Sequence, residues 1–214
     1  HIDWQWALPE QENYDRSFCS KIEIIDEKDL AIIFLKGNEG SLLMGFNLVS
    51  RKIVWESPVF DKFVDNPIVN NNMVFLASSR IRKEQAGTPA LYAYDALTGW
   101  PIYVTEFPRD YENQAVLIKI IEEYSSLSND NSTILLVINK TQLGLTEHNN
   151  KELALIETAT GSVLWTSKLE SVFSLGKTGF LNRINTGNTE LLVIISDKDI
   201  ITLNNKTGAK IWSM

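Results

Sequence analysis

One nine-residue phrase recurs four times along the chain. Its copies are NLVSRKIVW (47–55), DALTGWPIY (95–103), ETATGSVLW (157–165) and NNKTGAKIW (204–212). Each begins on a polar residue (Asn47, Asp95, Glu157, Asn204) and ends on a large aromatic (Trp55, Tyr103, Trp165, Trp212). The aromatics stand 48 residues apart (Trp55 to Tyr103), then 62 (Tyr103 to Trp165), then 47 (Trp165 to Trp212). A weaker fifth anchor is Trp6, 49 residues before Trp55, where WALPE resembles WESPV. A self-similar period of this size restricts a chain to a repeat architecture. In such a fold each unit is one supersecondary element that buries its apolar faces only against its neighbours.

The columns of the phrase have separate physical jobs. The leading polar side chain can accept hydrogen bonds from N–H groups just ahead of it and so open a turn. Gly99, Gly161 and Gly208 then fall where a hairpin needs a left-handed φ, which glycine supplies without a Cβ penalty. Arg51 replaces that glycine in the first copy, so its turn is expected to be strained or differently shaped. The closing aromatic is expected to wedge between neighbouring sheets.

Two further strand patterns precede every copy. Immediately upstream lie SLLMGFNL, ALYAYDAL, ELALIETA and DIITLNNK, which alternate as half-buried strands. Before them come the apolar runs AIIFL, MVFLAS, TILLVI and LLVIIS, which read as strands buried on both faces. Less regular segments (KIEII, PIV, VLIKII, FLNRI) begin each unit. Four strands at a period near 48 predict an all-β fold, a β-propeller of four-stranded antiparallel blades. The blades are expected over 21–60, 66–108, 115–169 and 172–214, with 1–10 as the outer strand of a preceding blade. The turn-like EHNN (147–150) and the long connections at 78–89 and 125–132 are expected on loops.

Charge and residue inventory narrow the function classes. A net charge of −7 and a pI near 4.9 argue against nucleic acid or anionic lipid as the main partner. The short basic run around Arg80 and Arg82 reads as a solvated loop. No segment reaches the roughly 18 apolar residues that a membrane helix needs. Cys19 is the only cysteine, so no internal disulfide or Cys-rich zinc site can form. His1 and His148 are the only histidines, which leaves little for Ser/His/Asp or three-ligand zinc chemistry. Three N-x-S/T sequons, at Asn131, Asn139 and Asn205, are compatible with a lumenal or secreted setting.

AYDALTGWPIY and LIETATGSVLW, with the buried strand before each, resemble the pyrroloquinoline-quinone-like (quinoprotein-like) propeller repeats. In that family the tryptophans form an interlocking girdle between blades, and Trp55, Trp165 and Trp212 match those positions. Tyr103 departs from the pattern while keeping a ring. No Trp-Asp or Gly-Gly dipeptide occurs, which sets the WD and kelch propellers aside. The family closes with seven or eight blades, so four repeats imply a piece of a longer ring, a ring completed by a second copy, or a four-bladed closure. A piece of a larger ring is the preferred reading.

The resemblance implies two function classes. One is a non-catalytic interaction scaffold, as in the lipoprotein of the outer-membrane β-barrel assembly machinery and in lumenal propellers. Apolar loop residues Trp100, Pro101 and Phe107 would then meet other proteins, outside the cytoplasm. The alternative is a quinone- and calcium-dependent dehydrogenase or a small-ligand-binding propeller. That branch uses a Glu/Asn/Asp calcium set, an Asp base and often a disulfide of adjacent cysteines, which Cys19 alone cannot supply. The expectation is therefore the scaffold, with no catalytic, cofactor or metal residues assigned.

Overall fold

The computed structural model describes residues 18–37, 40–58, 60, 64–79, 88–110, 114–122, 124, 132–142, 149–169, 180–187, 189–195 and 199–214. Among the described residues sixteen strands form four antiparallel sheets, each with its strands in chain order from first to fourth. The first sheet holds β1 (Phe18–Ile25), β2 (Leu30–Lys36), β3 (Ser41–Asn47) and β4 (Lys52–Glu56). The second holds β5 (Ile68–Asn70), β6 (Met73–Ser78), β7 (Ala90–Asp95) and β8 (Pro101–Glu106). The third holds β9 (Gln114–Ile120), β10 (Thr133–Gln142), β11 (Asn149–Glu157) and β12 (Val163–Leu169). The fourth holds β13 (Phe180–Asn185), β14 (Glu190–Ile195), β15 (Ile200–Asn204) and β16 (Lys210–Ser213). These are four consecutive blades of a partial propeller. Asn149 and Asn150 belong to β11, so the turn expected at 147–150 gives way to strand in its second half.

Blades stack face to face, and the stacking sets burial. Leu30, Ile32 and Phe34 of the first blade pack on Val74 and Leu76 of the second. Phe75 and Leu91 of the second meet Ile134 and Leu136 of the third. Leu135 and Leu153 of the third meet Leu192 and Ile194 of the fourth. A blade covered on both sides has no polar face, which corrects the half-buried reading of the third strands. Thus β11 of the third blade buries Ala154 and Ile156 in the cluster shared with the second blade and Leu153 and Leu155 in the one shared with the fourth. The converse correction falls on β14: Leu192 and Ile194 are buried, while Leu191, Val193 and Ile195 stay partly exposed. Only one face of that strand has a blade against it among the described residues.

The repeated phrase is the hairpin between third and fourth strands, and its polar leader does the capping. Asp95 Oδ1 accepts from Leu97 N at 3.0 Å, Thr98 N at 2.8 Å and Thr98 Oγ1 at 2.8 Å. Asn47 Oδ1 accepts from Ser50 N at 2.7 Å, and Asn204 Oδ1 from Lys206 N at 2.9 Å and Thr207 N at 3.1 Å. Glu157, one methylene longer, accepts instead from the Thr160 hydroxyl. Gly99, Gly161 and Gly208 then take φ of 70°, 74° and 67°. Arg51 adopts the same region at φ 56°, so the first corner keeps its shape and carries the strain of a non-glycine residue there.

One regularity lies just beyond the corner. Every third–fourth strand pair slips register by one residue immediately before the anchor aromatic, between Gly45/Phe46, Ala93/Tyr94, Leu155/Ile156 and Thr202/Leu203. The extra residues are Val54, Ile102, Leu164 and Ile211, each about half exposed. A bulge at a fixed place bends the outer strand and re-aims the side chain that follows it. Here that side chain is the anchor ring.

Candidate functional site

Three anchor rings reach across to the corner of the next blade, and backbone meets them there. Trp55 Nε1 donates to the Ala96 carbonyl at 2.9 Å, and Trp165 Nε1 to the Asn205 carbonyl at 2.8 Å. Tyr103 Oη donates to the Thr158 carbonyl at 2.9 Å, with Thr105 Oγ1 adding a bond to the Gly161 carbonyl at 2.7 Å. Each ring lies flat on the glycine three residues beyond its acceptor. A Cβ on Gly99 would come within 2.5 Å of the Trp55 ring, and one on Gly208 within 2.5 Å of the Trp165 ring. A Cβ on Gly161 would overlap Tyr103, and one on Gly45 would overlap Trp55 from its own blade. Glycine is therefore needed twice over at the corner, for its φ and for its bare face. Trp55 and Trp165 end almost fully buried, at 8% and 7% exposure.

Trp212 is the fourth anchor and has the same place in its blade, paired across to Thr202 as Trp165 is to Leu155. It is 45% exposed, because no corner among the described residues covers it. Trp6 lies outside the described residues, as do Arg80 and Arg82.

Burial holds two of the tyrosines neutral. Desolvation, reinforced by nearby Glu157, pushes the Tyr103 phenol well above its usual range. Desolvation with Tyr92 alongside pushes Tyr94 up to about 12. The fold thus prefers both phenols protonated, while the unfolded chain releases their protons near pH 10. Their contribution is complete below about pH 10 and is lost as pH rises from there towards the folded values. Urea midpoints taken at rising pH should fall above about pH 10, and Tyr103→Phe should flatten that decline.

The corner of the fourth blade carries a partly buried polar network. Tyr124 Oη donates to Asn205 Oδ1 at 3.1 Å, Asn205 Nδ2 donates to Glu190 Oε2 at 2.7 Å, and Arg183 Nε donates to Glu190 Oε1 at 2.8 Å. The Arg183 guanidinium also lies over the Tyr124 ring, 5.1 Å from its centroid. Asn205 is 5% exposed with its amide engaged, so this sequon is built into the core of the folded chain. Asn139 sits in β10, and Asn131 lies outside the described residues.

First strands bring a second polar group together. Lys21 Nζ of β1 stands 2.9 Å from Glu23 and 3.0 Å from Glu122, which follows β9 two blades away. Burial works to lower the Lys21 pKa, but the two carboxylates outweigh it and hold the amine charged. Ser20 Oγ donates to Asn66 Oδ1 at 2.8 Å beside it. Among the described residues no three His, Cys, Asp or Glu side chains converge as a metal-binding set. Glu23 and Glu122 are both engaged by Lys21.

The predicted loop contacts divide. Trp100 is 73% exposed, and Pro101 beside it is exposed. Phe107 is a correction: it is 7% exposed and packed in the core between the second and third blades. Its backbone N donates to the Pro89 carbonyl at 2.8 Å, which draws the end of β8 back into the sheet. A Phe-Pro pair read by composition looks like a loop, yet a strand end folded back by one backbone bond buries the ring.

No protein-family profile matches the chain, and no curated protein does. Solved structures do. Over 91% of its length the chain superposes on a europium-containing methanol dehydrogenase, with a TM-score of 0.60 at 12% identity, spanning 41% of that protein. Over 92% it superposes on quinohemoprotein alcohol dehydrogenase ADHIIG from Pseudomonas putida HK5, with a TM-score of 0.52 at 11% identity, spanning 35% of that protein. The fold is that of a partial β-propeller. BamB from Moraxella catarrhalis is also similar, at a TM-score of 0.36 and 13% identity over 91% of the chain. The chain thus spans well under half the length of the two dehydrogenases, and the propeller likeness concerns architecture alone. No helix among the described residues is long and apolar enough to cross a membrane.

Proposed function

We propose that this quinoprotein-like propeller is a non-catalytic scaffold outside the cytoplasm that binds other proteins through its hairpin corners, Trp100 above all, in the folding or assembly of membrane proteins. The observation that carries the reading is a difference between copies. The residue after the corner glycine position is Lys52, Trp100, Ser162 or Ala209, so an indole there is not required by the repeat. Trp100 is nonetheless 73% exposed, with half-exposed Leu97 on the same turn. Its backbone is fixed while its ring is free: Asp95 N donates to the Trp100 carbonyl at 2.9 Å. A large aromatic on a rigid turn gives contact area at low entropic cost, which is what interface hot spots use.

A photo-crosslinker at position 100 should join one defined protein in the native host. Trp100→Ala should weaken the purified complex by about 30-fold or more, the effect of a hot spot worth about 2 kcal/mol, with the melting temperature unchanged. Uptake of pyrroloquinoline quinone with calcium, seen as a new chromophore and a thermal shift, would instead establish the dehydrogenase reading.

A further inference from the structure

Of the three sequons, the structure singles out Asn139-Lys140-Thr141, which lies on β10 in the third blade and has no proline at its middle position. Side chains alternate along a strand, so Asn139 and Thr141 share the face of Leu135 and Val137, turned toward the fourth blade. Lys140 points the other way and pairs with Asp110 at 3.2 Å. Thr141 Oγ1 donates to Asn139 Oδ1 over a long 3.5 Å, and Asn139 Nδ2 makes no hydrogen bond among the described residues. The face is open beside it. Leu117, paired with Asn139 in register, is 46% exposed, and Asn139 and Thr141 are partly exposed themselves. Asn205 is the opposite case. It is 5% exposed, and both ends of its amide are bonded, to Tyr124 and to Glu190.

We propose that Asn139 is an N-glycosylation site that takes an oligosaccharide from a polyprenyl-diphosphate donor. The amide Nδ2 bonds to C1 of the first sugar as the bond from C1 to the diphosphate oxygen breaks. The polyprenyl diphosphate leaves with that electron pair, and one amide proton passes to a base of the transferase. Transfer to a chain that has yet to fold leaves the fold to decide which modified asparagine it keeps. A glycan is bulky and hydrated, so it fits a free amide beside an open face and not one bonded inside the core. The inference rests on the extracytoplasmic setting of the scaffold reading and fits its geometry. Thr133 pairs with Glu157 at the corner end of the blade, and Asn139 stands six residues further along β10, about 20 Å at the rise of a strand. The glycan therefore grows away from the hairpin corners and leaves Trp100 uncovered.

The 214-residue chain, fused to a cleavable secretion signal and expressed in cultured animal cells, tests the assignment. Secretion supplies the compartment, so a failure here is a failure of the site. Peptide-N-glycosidase in heavy-oxygen water converts each glycosylated asparagine to labelled aspartate, and fragment spectra locate the label. Label should appear at Asn139 in most of the secreted protein, vanish in Thr141→Ala and persist in Thr141→Ser. Asn205 in the same secreted protein should carry none. An unlabelled Asn139, or Asn205 labelled to the same level, would overturn the proposal. So would a wild-type chain held back in the cells while Asn139→Gln is secreted, since the fold would then reject the glycan. The protein from its native host reads the compartment separately. An unmodified Asn139 there, beside a labelled one in the secreted chain, would contradict the extracytoplasmic setting and leave the site standing.

Discussion

Trp165→Ala should cost about 3–5 kcal/mol, the range for removing a buried tryptophan. The loss has three sources. The ring is 7% exposed and packs within the cluster shared by the third and fourth blades, with Leu155 and Leu203 among its members. It covers the bare face of Gly208. Its N–H satisfies the Asn205 carbonyl at 2.8 Å, which would otherwise be left buried without that partner. Against a total stability of about 5–15 kcal/mol, this removes a large share from one side chain. Trp165→Phe keeps most of the ring and loses the N–H, so it should cost less, about 1–3 kcal/mol. Urea midpoints resolve the pair, and an alanine variant within about 0.5 kcal/mol of wild type would show that the blades do not depend on the ring.

Gly208→Ala should cost about 2–5 kcal/mol, although it adds a single methyl group. A left-handed φ of 67° costs an L-residue about 1–2 kcal/mol. The added Cβ then stands 2.5 Å from Trp165 Cε3 and 2.6 Å from Cδ2, atoms of a rigid ring clamped by its own hydrogen bond. Displacing a packed ring in this way costs about 1–3 kcal/mol more. Gly187 is the internal comparison, with φ 88° and nothing within 4 Å of a built Cβ. Gly187→Ala should show the backbone cost alone, so the difference between the two variants measures the ring contact.

The sequence carried most of the architecture because the fold repeats. Polar leader, corner glycine and closing aromatic each serve the same local purpose in every blade, so four copies average out the noise of any one. Strand order and blade number follow from that regularity. Burial was less legible. The third strands alternate in sequence, yet β7 and β11 are buried on both faces because blades lie on either side of the second and third sheets. The apolar run of β14 looks like its counterparts, but its exposure depends on a neighbour that no local pattern encodes. The register slip before each anchor was missed as well. Its signal is an aliphatic directly before the aromatic in all four copies, visible only when Ile102 is aligned with Val54, Leu164 and Ile211. Phe107 differs from its expected place: an aromatic-proline pair suggests surface, and packing against the third blade puts the ring inside.

The central claim is that an aromatic ring seated on the next blade's corner glycine locks neighbouring blades together. A double-mutant cycle at the third and fourth blades tests it most directly, using Trp165→Ala, Gly208→Ala and the two combined. If the ring and the glycine face form one joint, the methyl group loses its obstacle once the indole is gone. The double variant should then be more stable than the sum of the singles predicts, with a coupling of about 1–3 kcal/mol. Costs that add to within about 0.3–0.5 kcal/mol would contradict the account, because they would show the ring and the corner acting independently.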